Sequence, residues 1–335
     1  MNNRIATTAG LLAATALAGA PALADGHLTA VSFGTNWVAQ AEHGGFYQSV
    51  VDGTYAECGL DVTIVPGGPQ VNNTALMLAG RIDFYMGGHL DAYFAAAEGL
   101  PIVNVMASFQ KDPQVILTHP DRVASFEEMA SDDFTMIVQD SAVYYEWMKA
   151  AYGFTDEQRQ SYTFNSAPFI VNTDAGQQGY LSSEPFAVER ETGWAPDVWL
   201  IADAGYGAYS TTIQTLRPTL EERPEVVECF VTGSILGWYN YLYGDNAAAN
   251  ELIMTDNPDM TQEAIDFAIA AMLENGIVDS GDTLELGIGA MTEERMADFY
   301  EQMVSAGVLE DGLDYSVSYD LSYINQGLGL DLRPE

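Results

Sequence analysis

The chain has 335 residues, 48 of them acidic and 11 basic, giving a formal net charge of −37 at pH 7. Acidity of that size, spread along the chain, repels nucleic acid and anionic lipid; its plain use is solubility, with a bias toward neutral or cationic small ligands. The length exceeds what one ordinary core accommodates and suits two lobes.

Residues 1–24 read as an export signal: Arg4, an apolar run from Ile5 to Gly19, and the small-residue exit Ala22-Leu23-Ala24 before Asp25. The run is too short and too rich in Ala and Thr for a membrane span. No later stretch approaches the roughly 18 apolar residues a span needs, and no cysteine follows the run to carry a lipid. The expected product is therefore exported and not lipid-anchored. Cys58 and Cys229 are the only cysteines. An oxidising compartment permits them to pair, and two separate buried thiols fit the sequence as well. Neither lies in metal-ligand spacing.

After LTAVSFG (28–34), a short β-rich run, comes NWVAQAEHGGFYQ and a helical stretch ending near Cys58-Gly59, where glycine suits a helix stop. A strand over 60–66, a helix near 70–80, a strand over 82–88, a helix near 89–98 and a strand over 102–109 follow. Strands alternating with helices predict a mostly parallel sheet covered on both faces. QVILTH (114–119) leaves this layer. A second set opens with SFEEMA, strands over 134–139, 161–164 and 197–202, and a helix over 142–154. STTIQTL (210–216) carries the chain back to a helical remainder. The expected division is lobe one over 25–117 and 217–335 and lobe two over 118–216, with crossings near 114–119 and 208–217 as the hinge.

Ligands of open parallel sheets collect at the carboxyl ends of strands, where helix N-termini expose unpaired N–H groups. Asn36 and Trp37 sit in such a loop. His43 and Tyr47, four apart, share one face of the first turn, apart from the stripe of Phe46, Val50, Val51 and Tyr55. Packing is the common fate of an aromatic residue, but glycine after a histidine also lets a ligand approach the backbone. PGGPQVNN (66–73), with Gly68 and Gln70, again follows a strand, and lacks the Gly-Lys-Ser/Thr of a phosphate loop. MGGHLD (86–91) brings Gly88 and His89 to the same edge. Three such turns at one edge predict a lined pocket. In the second set, Asp140 and Ser141 precede a helix and serve equally as caps. Glu184, before Pro185 at another helix start, is favoured by the helix dipole and in a cleft accepts from a ligand's N–H groups.

The stretch NWVAQAEHGGFYQSVVDGTYAECGLDVTIVPGGPQVNNTALMLAGRIDFYMGG resembles the first lobe of the thiamine-pyrimidine-precursor and nitrate/sulfonate/taurine group of periplasmic binding proteins, the solute receptors of ABC importers. The likeness rests on His43, Gly45 and Tyr47, on Gly59 to Val62, on Gly67 to Gln70, on Leu78 with Arg81 to Asp83, and on SEPFA (183–187). It implies a type II periplasmic binding fold: two α/β lobes, hinged by two crossover segments, closing around one small molecule. It also implies a membrane permease as partner, monomeric action in the periplasm and no cofactor. The aromatic first turn is more similar to the pyrimidine- or flavin-precursor receptors than to the anion branch. No Lys or Arg falls in the ligand turns, so a sulfonate or nitrate would lack an obvious counter-charge. The same fold serves a eukaryotic pyrimidine-synthesising enzyme, but its cysteine-rich run is missing here and no nucleophile–base pair replaces it. Binding of a pyrimidine-like solute by Asn36, Trp37, His43, Tyr47, Gly68, Gln70, Gly88, His89, Asp140, Ser141 and Glu184 is the expectation, with an organosulfonate, nitrate, another small anion or a flavin as alternatives.

Overall fold

A computed structural model describes residues 28–68 and 71–334. Residues 1–24, where the sequence predicts an export signal, and Gln70 lie outside the described residues.

The strands are β1 (Thr29–Gly34), β2 (Leu60–Val65), β3 (Phe84–Gly87), β4 (Ile102–Phe109), β5 (Gln114–Thr118), β6 (Thr135–Val138), β7 (Arg159–Ser161), β8 (Ala175–Tyr180), β9 (Asp197–Leu200) and β10 (Ser210–Leu216). They form two five-stranded sheets, ordered β2-β1-β3-β10-β4 and β7-β6-β8-β5-β9. In the first, β10 runs antiparallel to both β3 and β4; in the second, β5 runs antiparallel to both β8 and β9. Each reversed strand is the one the chain inserts on arriving from the other sheet. The remaining pairings, β1 with β2 and β3, and β6 with β7 and β8, are parallel.

This exchange corrects the expected lobe boundaries. Gln114–Thr118 belongs wholly to the second sheet and Ser210–Leu216 wholly to the first. The chain therefore crosses at 110–113 and again at 201–209. Apart from Gln114 and Gln214, both strands carry apolar or hydroxyl side chains, which mark a central strand in either sheet and do not say which.

The helices are α1 (Gly44–Val51), α2 (Thr54–Glu57), α3 (Asn73–Leu78), α4 (His89–Ala97), α5 (Val143–Tyr152), α6 (Ala167–Val171), α7 (Glu184–Thr192), α8 (Arg217–Glu222), α9 (Pro224–Tyr243), α10 (Ala247–Asp256), α11 (Gln262–Glu274), α12 (Thr283–Leu286) and α13 (Glu293–Ser305). No described helix is long and apolar enough to cross a membrane. Two expectations shift. The strand expected at 161–164 is formed by Arg159–Ser161, and Phe164 turns instead with φ 58°. The central strand β8, AGQQGY, was not foreseen, because nothing in it alternates apolar with polar.

Aromatic packing fixes the first lobe. Phe230 of α9 stacks on Phe84 of β3 at 4.1 Å between centroids and on Tyr55 of α2 at 5.3 Å. Helix α1 lies so close to α9 that a Cβ on Gly44 would sit 2.0 Å from the Tyr241 ring, and one on Gly45 would sit 2.4 Å from Trp238. The two glycines after His43 thus serve helix packing, which corrects the expectation that they open the backbone to a ligand. Cys58 and Cys229 form a disulfide, with Cα atoms 5.7 Å apart, that ties the end of α2 to α9.

Candidate functional site

A cavity of about 220 Å³ opens between the two sheets. From the first lobe the loop after β1 supplies Asn36, Trp37, Gln40 and Glu42; from the second come Gln114 of β5, Gln139 after β6, the turn bearing Tyr162 and Phe164, and the strand–helix junction from Gln178 to Glu184. Both groups sit at or beyond strand ends, where the sheet geometry leaves side chains free to converge.

The lobes touch around this cavity. Trp37 and Phe164 face each other across the mouth, with ring centroids 5.5 Å apart. Phe164 is 54% exposed and holds a left-handed backbone, a costly combination for an aromatic residue. Deeper in, Ser182 Oγ donates a hydrogen bond to Glu42 Oε1. Glu42 is 3% exposed, and burial, with a smaller contribution from Glu184, holds its carboxyl above the usual carboxylate range. Glu184 opens α7, where its Oε2 accepts from the Tyr180 backbone N–H at 2.7 Å and from Ser183 Oγ at 2.6 Å. Gly179 makes room for it: a Cβ there would lie 2.9 Å from Glu184 Cβ. Gln114 Oε1 is buried without a hydrogen-bond partner.

Of the residues expected from sequence, Asn36, Trp37 and Glu184 line the cavity. His43 lies one layer behind. It is fully buried, and its Nε2 meets Asn36 Oδ1 at 3.1 Å. Because an amide oxygen only accepts, the proton sits on Nε2 and the Asn36 NH2 stays available for other partners. Burial pushes the His43 imidazole down to about 3, so it is neutral. Tyr47 is not in the cavity. It is buried between helices, and its hydroxyl donates to Asp256 Oδ2 of α10 at 2.8 Å, away from the side chain of His43 that meets Asn36.

Gly88 and His89 are also displaced from the crevice, because β10 inserts beside β3 and roofs that strand end. The Gly88 carbonyl accepts from Gln214 Nε2 at 3.0 Å, and His89 Nδ1 accepts from the Tyr209 N–H at 3.2 Å. His89 therefore carries its proton on Nε2, toward Tyr93 Oη at 2.9 Å. Gly68 follows the packed Gly67 and does not line the cavity. Asp140 and Ser141 are exposed beside it; Asp140 accepts from Ser161 Oγ at 2.8 Å, and the residue preceding α5 is Ala142, so neither caps that helix. Gln40, Glu42, Gln114, Gln139, Tyr162, Phe164, Gln178, Gly179, Tyr180 and Ser183 also line the cavity and were not expected from sequence. Gln40 and Glu42 lie inside the NWVAQAEHGGFYQ stretch and Ser183 inside SEPFA, so those three carried a usable signal in their motifs. Among the described residues no group of His, Cys, Asp and Glu is arranged to hold a metal ion.

Two α/β lobes joined by a double crossover, with a lined crevice between them, define the periplasmic-binding-protein fold. The chain belongs to the NMT1/THI5-like family, which it matches over residues 40–249. No curated protein sequence matches it. Among solved structures, it is similar to the ligand-binding component of an ABC-type import system from Staphylococcus aureus (TM-score 0.62, 11% identity, covering 88% of this chain and 97% of that one). A Candida albicans protein with the generic periplasmic binding protein fold gives 0.61 at 13% identity over 89% and 98%. The periplasmic aliphatic sulphonate binding protein SsuA from Escherichia coli gives 0.59 at 14% identity over 86% and 91%.

Proposed function

We propose that this chain is an extracytoplasmic solute-binding protein that captures a small, flat, nitrogen-bearing heterocycle of the pyrimidine type and presents it to the permease of an ABC importer. One observation carries this: the crevice is lined by aromatic rings, amides and two carboxylates, with no Lys, Arg or His among the described residues that line it. Rings offer stacking area, while amides and carboxylates read ring and amino N–H groups. A nitrate, or a sulfonate of the kind that the Escherichia coli SsuA binds, would meet Glu42 and Glu184 with nothing to offset its charge.

The mechanism follows from differential contact. A solute seated on Trp37 of one lobe and reached by Glu184 of the other favours the closed arrangement by the free energy of contacts available only there. Family membership and the export-type N-terminus support action in the periplasm, as a monomer that docks on its permease when closed. No residue is assigned a catalytic role.

Calorimetry against aminopyrimidines, flavins, taurine-like sulfonates and nitrate tests the choice. A response to aminopyrimidines is expected; tight sulfonate binding with silence toward every heterocycle overturns it. Mass spectrometry of any molecule co-purified with the protein gives a second, independent answer.

A further inference from the structure

None of the described residues lining the crevice carries a positive charge. Glu42 stands on the first lobe and Glu184 on the second, and Gln114 adds a buried amide oxygen with no partner. The donors that reach the two carboxylates, Ser182 Oγ, Ser183 Oγ and the Tyr180 N–H, are all neutral. Arg159, on the strand beside β6, does not line the cavity: its Nη2 donates to the Gln139 carbonyl and its guanidinium lies 4.8 Å from the Tyr145 ring centroid. Bringing two carboxylates from opposite lobes into one partly enclosed space is opposed by their mutual repulsion, and low-dielectric surroundings strengthen that repulsion.

We infer that the solute is a cation, a flat ring carrying a fixed or protonated positive nitrogen, and that it bridges Glu42 and Glu184 so that the charge of the ligand drives closure of the lobes. The inference rests on the crevice being the solute site. Placed between the two carboxylates, such a ligand converts a repulsion between lobes into two attractions, and its N–H groups reach the free oxygen of Gln114. A neutral ring of the same shape receives the stacking and amide contacts but leaves the repulsion in place. The strongly acidic surface raises the local concentration of cations in the same sense.

Titration calorimetry at neutral pH and moderate salt with three probes tests this: nicotinamide, the near-isosteric 1-methylnicotinamide with its fixed charge, and guanidinium as a cation without a ring. The charged ring is expected to bind at least about tenfold more tightly than the neutral one, a gap of about 1.4 kcal/mol. That preference should shrink in both Glu42→Gln and Glu184→Gln, each checked for an unchanged circular dichroism spectrum. Equal or tighter binding of nicotinamide overturns the inference and leaves the heterocycle assignment standing. Guanidinium bound while both rings are ignored supports the charge and removes the heterocycle. A preference that survives in both variants, or silence toward all three probes, overturns the cation.

Discussion

At the scale of single residues, neighbours in sequence divide between contact and support. Trp37 lines the mouth of the crevice, so Trp37→Ala should weaken solute binding by about 1–3 kcal/mol through lost stacking area, read by calorimetry with the fold unchanged. Tyr47, ten residues on, spends its hydroxyl on Asp256. Tyr47→Phe should leave affinity alone and lower unfolding stability by about 1 kcal/mol in a denaturant titration. His43 and His89 supply a pH effect. Burial pushes both imidazoles from the ordinary 6.5 down to about 3, with Arg295 adding to the shift at His89. Above pH 6.5 both are neutral folded or unfolded and contribute nothing. As the pH falls below 6.5 the unfolded chain takes up protons that the native chain refuses, so stability drops by about 1.4 kcal/mol per histidine per pH unit, down to about pH 3. Asp112, raised by burial to about 6, acts in the opposite sense, since its native form protonates first and a penalty present at neutral pH is relieved. Comparison of wild type with His43→Gln isolates one histidine: the stability difference between the two proteins should change by that slope between pH 6 and pH 4. A constant difference would show that His43 is protonated in the native state.

Among elements, the junction of β8 and α7 is where the sequence hid the most. AGQQGY lacks the β-branched and aromatic residues that mark a strand, yet it lies at the centre of the second sheet and delivers Gln178, Gly179 and Tyr180 to the crevice. Its glycines are read only in three dimensions: Gly176 would place a Cβ 2.8 Å from Ile116, and Gly179 one 2.9 Å from Glu184. Gly179→Ala should therefore push the Glu184 carboxylate off its two donors. Lowered affinity is expected, with overpacking that costs about 1–3 kcal/mol of stability. Retained affinity, measured on the folded variant, would mean that the junction relaxes and that Glu184 is not held in place by Gly179. The glycines after His43 were legible as unusual but not as packing residues, because their partners Tyr241 and Trp238 lie nearly two hundred positions away in α9.

For the molecule as a whole, one side chain ties the hinge. Arg295 of α13 donates through Nε to the Gly207 carbonyl at 3.1 Å and through Nη2 to the Ala208 carbonyl at 3.2 Å and the Gln110 carbonyl, so it holds both crossings. Its guanidinium also lies 4.0 Å from the centroid of the Tyr209 ring. Arg295→Ala should release about 1.5–3 kcal/mol of charged hydrogen bonding, widen the unliganded ensemble in small-angle scattering, and weaken solute binding as closed molecules become rarer. An unchanged radius of gyration would remove the clasp. Reduction of the Cys58–Cys229 disulfide, which closes a separation of 171 residues, should lower stability by up to about 5 kcal/mol and leave the crevice intact, since it lies within the first lobe. The sequence by itself determined the α/β alternation, two lobes, the loop with Asn36 and Trp37, and Glu184 at a helix start, because periodicity, turn residues and caps act within a few residues of one another. Only the tertiary structure decided that β5 and β10 change sheets, that His43, Tyr47 and His89 are buried supports, and that Glu42, Gln114, Phe164 and Gln178 meet in one crevice. Those outcomes depend on which distant surfaces come to face each other, and no local pattern encodes them.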